Sequence, residues 1–214
     1  MSGEPAKVTM TVPLLDLKAQ YATIRADVDA AVRSVMDSAR FIGGPEVVGL
    51  EEEVARYSQC AHGVGCASGT DALLLSLWAL GVGPGDEVVT TAYSFFATAG
   101  VIVNNGATPV FVDIDPRTYN LDPLKLEEAF TPRTKAVIAV SLYGQCCDVP
   151  AIKAVCDRHQ AYLIEDAAQS IGSEWESKRS GSMSDFGCFS FFPSKNLGAA
   201  GDGGMIVTQD ADLA

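Results

Sequence analysis

Three short stretches carry residue types that could do chemistry. Ser68-Gly69-Thr70 is a small, glycine-containing turn followed at once by a helix-like leucine pattern. A helix N-terminus offers unpaired N–H groups and the positive end of a dipole, so such a turn can hold an anion. The same Ser-Gly-Thr-Asp run is also an ordinary helix cap. Glu165-Asp166-Ala-Ala-Gln169-Ser170 follows an apolar run that would deliver Asp166 to a strand end. Its plain alternative is a cap or a surface carboxylate. Lys195 stands between Phe191-Phe192-Pro193-Ser194 and a glycine-rich run that ends at Gly204. A lone lysine is normally solvated, but bare glycine backbone lets a ligand approach closely. A lysine held in a pocket can form a Schiff base, because burial and neighbouring charge depress its pKa.

Together these stretches make a coherent set. An anion cradle could take a phosphate, an aspartate could pair with a pyridinium nitrogen, and a lysine could form an imine. Those are the requirements of pyridoxal 5′-phosphate, whose ring is an electron sink only while its nitrogen is protonated.

The elements that must position these residues follow from hydrophobic patterning. Short apolar runs at 64–67, 87–90, 109–113, 136–142, 161–165, 188–192 and 204–208 read as seven strands. Helices are expected at 21–38, 46–57, 70–80, 96–104, 124–130 and 149–159. Leu73, Leu74, Leu77 and Leu80 form one stripe, and Asp122 with Pro123 opens the short fifth helix. Apolar strands separated by helices imply a mostly parallel sheet covered on both faces. No helix separates the last two strands, so that pair is expected to be antiparallel. Ligands of such sheets sit beyond the carboxyl ends of the strands, where all three stretches fall. The run Asp210-Ala-Asp-Leu-Ala214 lacks a closing Gly or Pro and reads as an interrupted helix, so a fragment or a split domain is expected.

Composition narrows the classes. The 214 residues are 48% hydrophobic and 20% charged, which is globular rather than disordered. Fifteen Lys and Arg stand against 27 Asp and Glu, a net charge of −12. An acidic surface repels phosphate backbones, so no nucleic-acid partner is expected. No apolar run approaches the roughly 20 residues of a membrane helix. The opening Met1-Ser-Gly-Glu-Pro-Ala-Lys-Val8 has no apolar core followed by a cleavage site, so it is not read as a secretory signal. The six cysteines show neither CxxC nor zinc spacing. We expect reduced thiols, a cytoplasmic location and no metal.

Beyond these residue-level readings, the chain resembles the DegT/DnrJ/EryC1/StrS sugar aminotransferases over residues 12–214. The likeness rests on Pro13-Leu-Leu-Asp-Leu17, Gly44-Pro-Glu46, Ala67-Ser-Gly-Thr-Asp-Ala72, Gly83-Pro-Gly-Asp-Glu87 and Gly106-Ala-Thr-Pro109. It continues through Val112-Asp-Ile-Asp115, Leu142-Tyr-Gly-Gln145, Glu165-Asp-Ala-Ala-Gln169 and residues 189–204. The order and spacing of these motifs, more than any one of them, make the match specific. The resemblance implies an α/β fold, the large domain of a type I (aspartate aminotransferase-like) PLP-transferase. Residues 1–45 would be an N-terminal helical segment and 46–214 the PLP-binding large domain. The small C-terminal domain of the family would be absent from this chain.

The resemblance also assigns roles. Lys195 resembles the Schiff-base lysine, Asp166 the pyridinium partner, and Gln169 the residue that hydrogen-bonds the ring hydroxyl. Ser68, Gly69, Thr70 and Ser190 resemble the phosphate cradle, and Phe95 the aromatic stacked on the ring. Phe96 is the neighbouring option for that stack, and plain core packing is another reading of Phe95. The implied reaction is transamination of a nucleotide-linked keto sugar with glutamate or glutamine as donor, in a homodimer. The released lysine amine would shuttle the proton. The segments near Asp113, Gln145 and Lys195 look most like members that aminate the 3-keto position of a UDP-N-acetylhexuronic acid for surface polysaccharide. Other branches aminate 4-keto-6-deoxysugars. A regulatory member, a sugar dehydratase and a truncated fragment inactive on its own are the competing readings. The dehydratases carry His at the lysine position, so Lys195 disfavours them.

Overall fold

The computed structural model describes residues 12–214. The reading of Met1–Val8 therefore lies outside the described residues. The chain divides into two compact units, Met1–Phe41 and Ile42–Ala214. Within the first unit, helix α1 spans Leu17–Ser38. The Asp16 side chain caps it by accepting from the Ala19 N–H, and Ala39 ends it in the left-handed region.

The second unit opens with α2 (Pro45–Tyr57), whose first residue is the proline that a helix start tolerates. Strand and helix then alternate: β1 (His62–Cys66), α3 (Gly69–Ala79), β2 (Glu87–Thr91), α4 (Phe96–Asn104) and β3 (Thr108–Val112). Next come α5 (Pro123–Leu126), β4 (Thr134–Val140), α6 (Val149–His159) and β5 (Tyr162–Asp166). A small hairpin, β6 (Glu174–Trp175) and β7 (Lys178–Arg179), precedes β8 (Phe186–Ser190) and β9 (Gly204–Thr208).

Seven strands form one sheet in the order β1-β9-β8-β5-β4-β2-β3. Every pairing from β3 across to β8 is parallel, whereas β9 runs antiparallel to both of its neighbours. The expected antiparallel pair of last strands is thus present, and β1 adds a second on the far side of β9. Because β9 alone is reversed, β1, β2, β4, β5 and β8 all end on the same edge of the sheet.

Alternation along the strands buries both faces. Val88, Ala136, Ile138, Ile164 and Phe186 pack with Leu73, Leu77, Val101 and Ile102 of α3 and α4. Val89, Val137, Ala139 and Leu163 pack with Val149, Ile152 and Val155 of α6. Two expectations are corrected. The sixth strand is 186–190 rather than 188–192. The backbone turns after Ser190, whose hydroxyl accepts from the Phe192 N–H, and Phe192 lies outside the ladder. Residues 210–214 are not a helix: the Asp210 carboxylate accepts from the Asp212 N–H and the Asp210 carbonyl from Leu213, closing a single turn.

Candidate active site

The shared strand edge collects the three stretches. Ser68 caps α3 just beyond β1, Phe95 precedes α4 beyond β2, Asp166 is the last residue of β5, and Ser190 is the last of β8. All eight residues singled out from the sequence line one cavity of about 390 Å³: Ser68, Gly69, Thr70, Phe95, Asp166, Gln169, Ser190 and Lys195. That volume lies in the range of small-molecule sites, roughly 300–1,000 Å³.

One end of the cavity is built from α3 and β8. The Ser68 hydroxyl accepts from the Asp71 N–H at 3.1 Å and donates to the Asp71 carboxylate at 2.9 Å. Its carbonyl accepts from Ala72. Ser68 therefore is the ordinary N-cap that its sequence allows. The N–H groups of Gly69 and Thr70 are left without partners inside the helix. Gly69 is required by packing: a Cβ there would stand 2.6 Å from the Ser190 Cβ. A Cβ on Gly204 would likewise stand 2.3 Å from the Ser68 carbonyl oxygen. These two glycines bring the helix start against the ends of β8 and β9, and so set Ser68, Thr70 and Ser190 around one space.

The floor is a carboxylate. Asp166 is 6% exposed, and its Oδ2 accepts from the Thr98 hydroxyl at 2.8 Å. Its Oδ1 accepts from the Ala168 N–H at 3.3 Å. Burial pushes the Asp166 carboxyl above its ordinary value, while Thr98, the Ala168 N–H and the Lys195 ammonium pull it back.

Gln169 stands one turn further on. The Tyr143 N–H donates to its Oε1 at 2.8 Å. That bond occupies the carbonyl end of the amide and leaves the NH₂ end to serve the cavity as a donor. Tyr143 reaches this position with a positive φ of 55°, which is costly for a residue with a Cβ.

Phe95 and Phe96, equivalent by sequence, separate in space. Phe95 lines the cavity and is 67% exposed, whereas Phe96 is 81% exposed and lies outside the lining. The Lys195 Nζ is 6.0 Å from the Phe95 ring centroid. Among the described residues that ammonium has no hydrogen-bond or ion-pair partner.

Sequence reasoning missed the residues behind this surface. Thr98 touches Asp166 without lining the cavity, and Ser94, Leu142, Phe192, Ser194 and Asp202 are among the other wall residues. The one available signal for Thr98 was a hydroxyl residue in the first turn of an otherwise apolar helix.

Comparison with known proteins fits this geometry. Residues 22–214 match the DegT/DnrJ/EryC1/StrS aminotransferase family. A pleiotropic regulatory protein of Geobacillus stearothermophilus is 53% identical over 96% of this chain and 55% of its own length. A UDP-N-acetyl-3-dehydro-alpha-D-glucosamine 3-aminotransferase of Acidithiobacillus ferrooxidans is 53% identical, covering 94% of this chain and 55% of its own. The UDP-2-acetamido-2-deoxy-3-oxo-D-glucuronate aminotransferase of Pseudomonas aeruginosa is 52% identical over 95% and 56%. The chain thus spans about half the length of the curated relatives it matches. The crystal structure of S. venezuelae DesV, in complex with a ketimine intermediate, superposes with a TM-score of 0.92 at 47% identity, over 94% of this chain and 54% of that one. The fold is that of these enzymes, and the chain belongs to the DegT/DnrJ/EryC1/StrS aminotransferase family.

Proposed function

We propose that the cavity holds pyridoxal 5′-phosphate, and that residues 46–214 are the cofactor-binding large domain of an aminotransferase acting on a nucleotide-linked keto sugar. The observation that carries this reading is the pairing of a buried carboxylate, Asp166, with an amine, Lys195, that has no partner among the described residues, on the walls of one cavity. The other donors fit the same molecule. Free N–H groups and the Thr70 and Ser190 hydroxyls suit a phosphate, the Gln169 amide suits a ring hydroxyl, and the Phe95 face suits a ring.

When bound, pyridoxal phosphate supplies a protonated pyridine ring that takes up the electron pair left on the α-carbon of an amino donor. Asp166 holds the proton on the ring nitrogen, which it does only while ionised. Lys195 would hold the aldehyde carbon through Nζ, with loss of water, and when free its amine would carry a proton as a positioned base. Ser68, Gly69, Thr70 and Ser190 hold the phosphate, and Gln169 orients the ring. Glutamate or glutamine is the donor, a homodimer the working form and the cytoplasm the location. Among the described residues no helix is long and apolar enough to cross a membrane. For the acceptor we infer a UDP-linked 3-keto uronic sugar. The names of the A. ferrooxidans and P. aeruginosa relatives both support a UDP-linked 3-keto sugar, and that of the P. aeruginosa relative alone supports a uronate.

The G. stearothermophilus relative, named as a regulator, supports a second reading in which the fold regulates rather than catalyses. Both are tested by adding pyridoxal phosphate to the chain, following its absorbance, and then supplying glutamate and the keto sugar. An imine absorbance band is expected of the chain alone, and amination of the UDP-linked 3-keto uronic sugar of a protein of its relatives' length. A band without amination in that longer protein favours the regulatory reading. Preference for a dTDP-4-keto-6-deoxysugar removes the acceptor assignment and leaves the aminotransferase.

A further inference from the structure

The floor of the cavity has a second layer. Thr98 is the third residue of α4 and is 1% exposed, among Val101, Ile102 and the apolar face of the sheet. A valine would fill the same volume there. A buried hydroxyl without a partner costs a few kcal/mol, so a threonine at this place is explained only by its bonds. It has two. Thr98 Oγ1 donates to Asp166 Oδ2 at 2.8 Å, and Ser94 Oγ lies 2.8 Å from Thr98 Oγ1. A hydroxyl carries one proton, and that of Thr98 is spent on the carboxylate. The Ser94 proton must therefore point at Thr98. The three groups form a directed chain, Ser94 to Thr98 to Asp166, whose acceptor end is the carboxylate.

Resting on the assignment of Asp166 to the cofactor ring, we propose that Thr98, with Ser94 behind it, is a positioning residue that fixes the Asp166 carboxylate in its charged, ring-facing state. The two oxygens of Asp166 are served unequally. Oδ2 takes the short hydroxyl bond, and Oδ1 takes only the 3.3 Å contact from Ala168. The firm bond holds the carboxylate from the side of α4, and Oδ1 keeps acceptor capacity for an N–H from the cavity. A donor aimed at the charged form also opposes the effect of burial. The other groups facing Asp166 do not act alike. Lys195 favours its charge, while Glu165 beside it and Cys188, its partner in β8, do not. Ser94 precedes Phe95 in the same turn and itself lines the cavity. One segment, residues 93–98, thus carries both the aromatic wall and the support of the carboxylate.

The test uses the 214-residue chain with and without pyridoxal phosphate. In the cofactor-free chain the Asp166 carboxyl is titrated by carbon NMR, assigned by its loss in Asp166→Asn. Thr98→Val, which keeps the shape and removes the donor, is expected to move that titration upward by about one pH unit. Thr98→Ser, which restores the donor, is expected to return it to the parent value. At a pH below the Asp166 titration the melting temperature of Thr98→Val should change little, which separates positioning from packing. In cofactor titrations, Thr98→Val is expected to weaken binding about tenfold and to move its acid limb to higher pH, with Thr98→Ser close to the parent. An unchanged Asp166 titration in Thr98→Val overturns the proposal. A shifted titration in a chain that binds no pyridoxal phosphate would uphold the Thr98–Asp166 pair and remove the cofactor reading instead.

Discussion

Glu165 and Asp166 are neighbouring carboxylates at the end of one strand, and the sheet separates them. Alternation sends Glu165 to the α6 side with Leu163, and Asp166 to the α3 and α4 side with Ile164. Both are buried, and burial pushes both carboxyls upward. Their partners differ. Glu165, 0% exposed, accepts from the Ser141 and Ser180 hydroxyls at 2.6 Å each and from the Gly181 N–H at 2.7 Å. It ties the end of β4 to the turn before β8, with three of its roughly four acceptor sites filled. Asp166 has one strong donor, one weak one, and a cavity in front of it. A satisfied buried carboxylate is structural, and a partly satisfied one beside a cavity is placed for a ligand.

The largest expected effect tests the structural side. Glu165→Ala removes the acceptor of three buried donors and should cost about 3 kcal/mol of stability, read by urea unfolding. A loss below about 0.5 kcal/mol would mean that the donors find other partners and that the tie is dispensable.

Asp166→Asn should do the reverse. It removes a buried charge and keeps an oxygen for Thr98, so stability at pH 7 should hold or rise by about 1 kcal/mol. Pyridoxal phosphate affinity should fall about tenfold, because a neutral amide cannot hold a ring proton. Equal affinity in this variant and the parent would exclude Asp166 as the ring partner.

A subtler difference is pH dependence. A carboxyl that folding raises binds its proton more tightly in the folded chain. Its share of stability is complete below the ordinary value, 4.5 for Glu165, and is lost as pH rises through the folded value. Stability should therefore decline as pH rises above 4.5, and Glu165→Gln should flatten part of that decline. An identical slope in parent and variant would show that the Glu165 donors outweigh its burial.

Smallest is the aromatic wall. Phe95→Ala should weaken cofactor binding about fivefold, in line with the worth of a ring stack, and Phe96→Ala should leave it unchanged. Equal losses would mean that both rings only pack.

The legible parts of this fold are those set by local chemistry. The bounds of α6 follow from Asp148 as N-cap, Pro150 in the first turn and Gln160 in the left-handed region after it. The apolar strands are visible because a sheet covered on both faces needs them. The order of the strands is not local. β1 pairs with β9 across more than a hundred residues, and no short pattern announces that partnership. The β6–β7 hairpin, two residues a side with positive φ at Glu176 and Ser177, is too short and too polar to show a period. In the candidate site, the residues that reach the cavity stand in recognisable turns. Those acting from behind do not: Thr98 matters through one hydroxyl, and Tyr143 through a backbone N–H that its side chain does not encode.

The central claim, that Lys195 and Asp166 face a shared cofactor, is tested most directly by trapping. The chain is mixed with pyridoxal phosphate, reduced with borohydride, digested and mapped by mass spectrometry. The account predicts a single labelled peptide modified at Lys195, and no label in Lys195→Ala. A label on another lysine, or an equal label in Lys195→Ala, would contradict it.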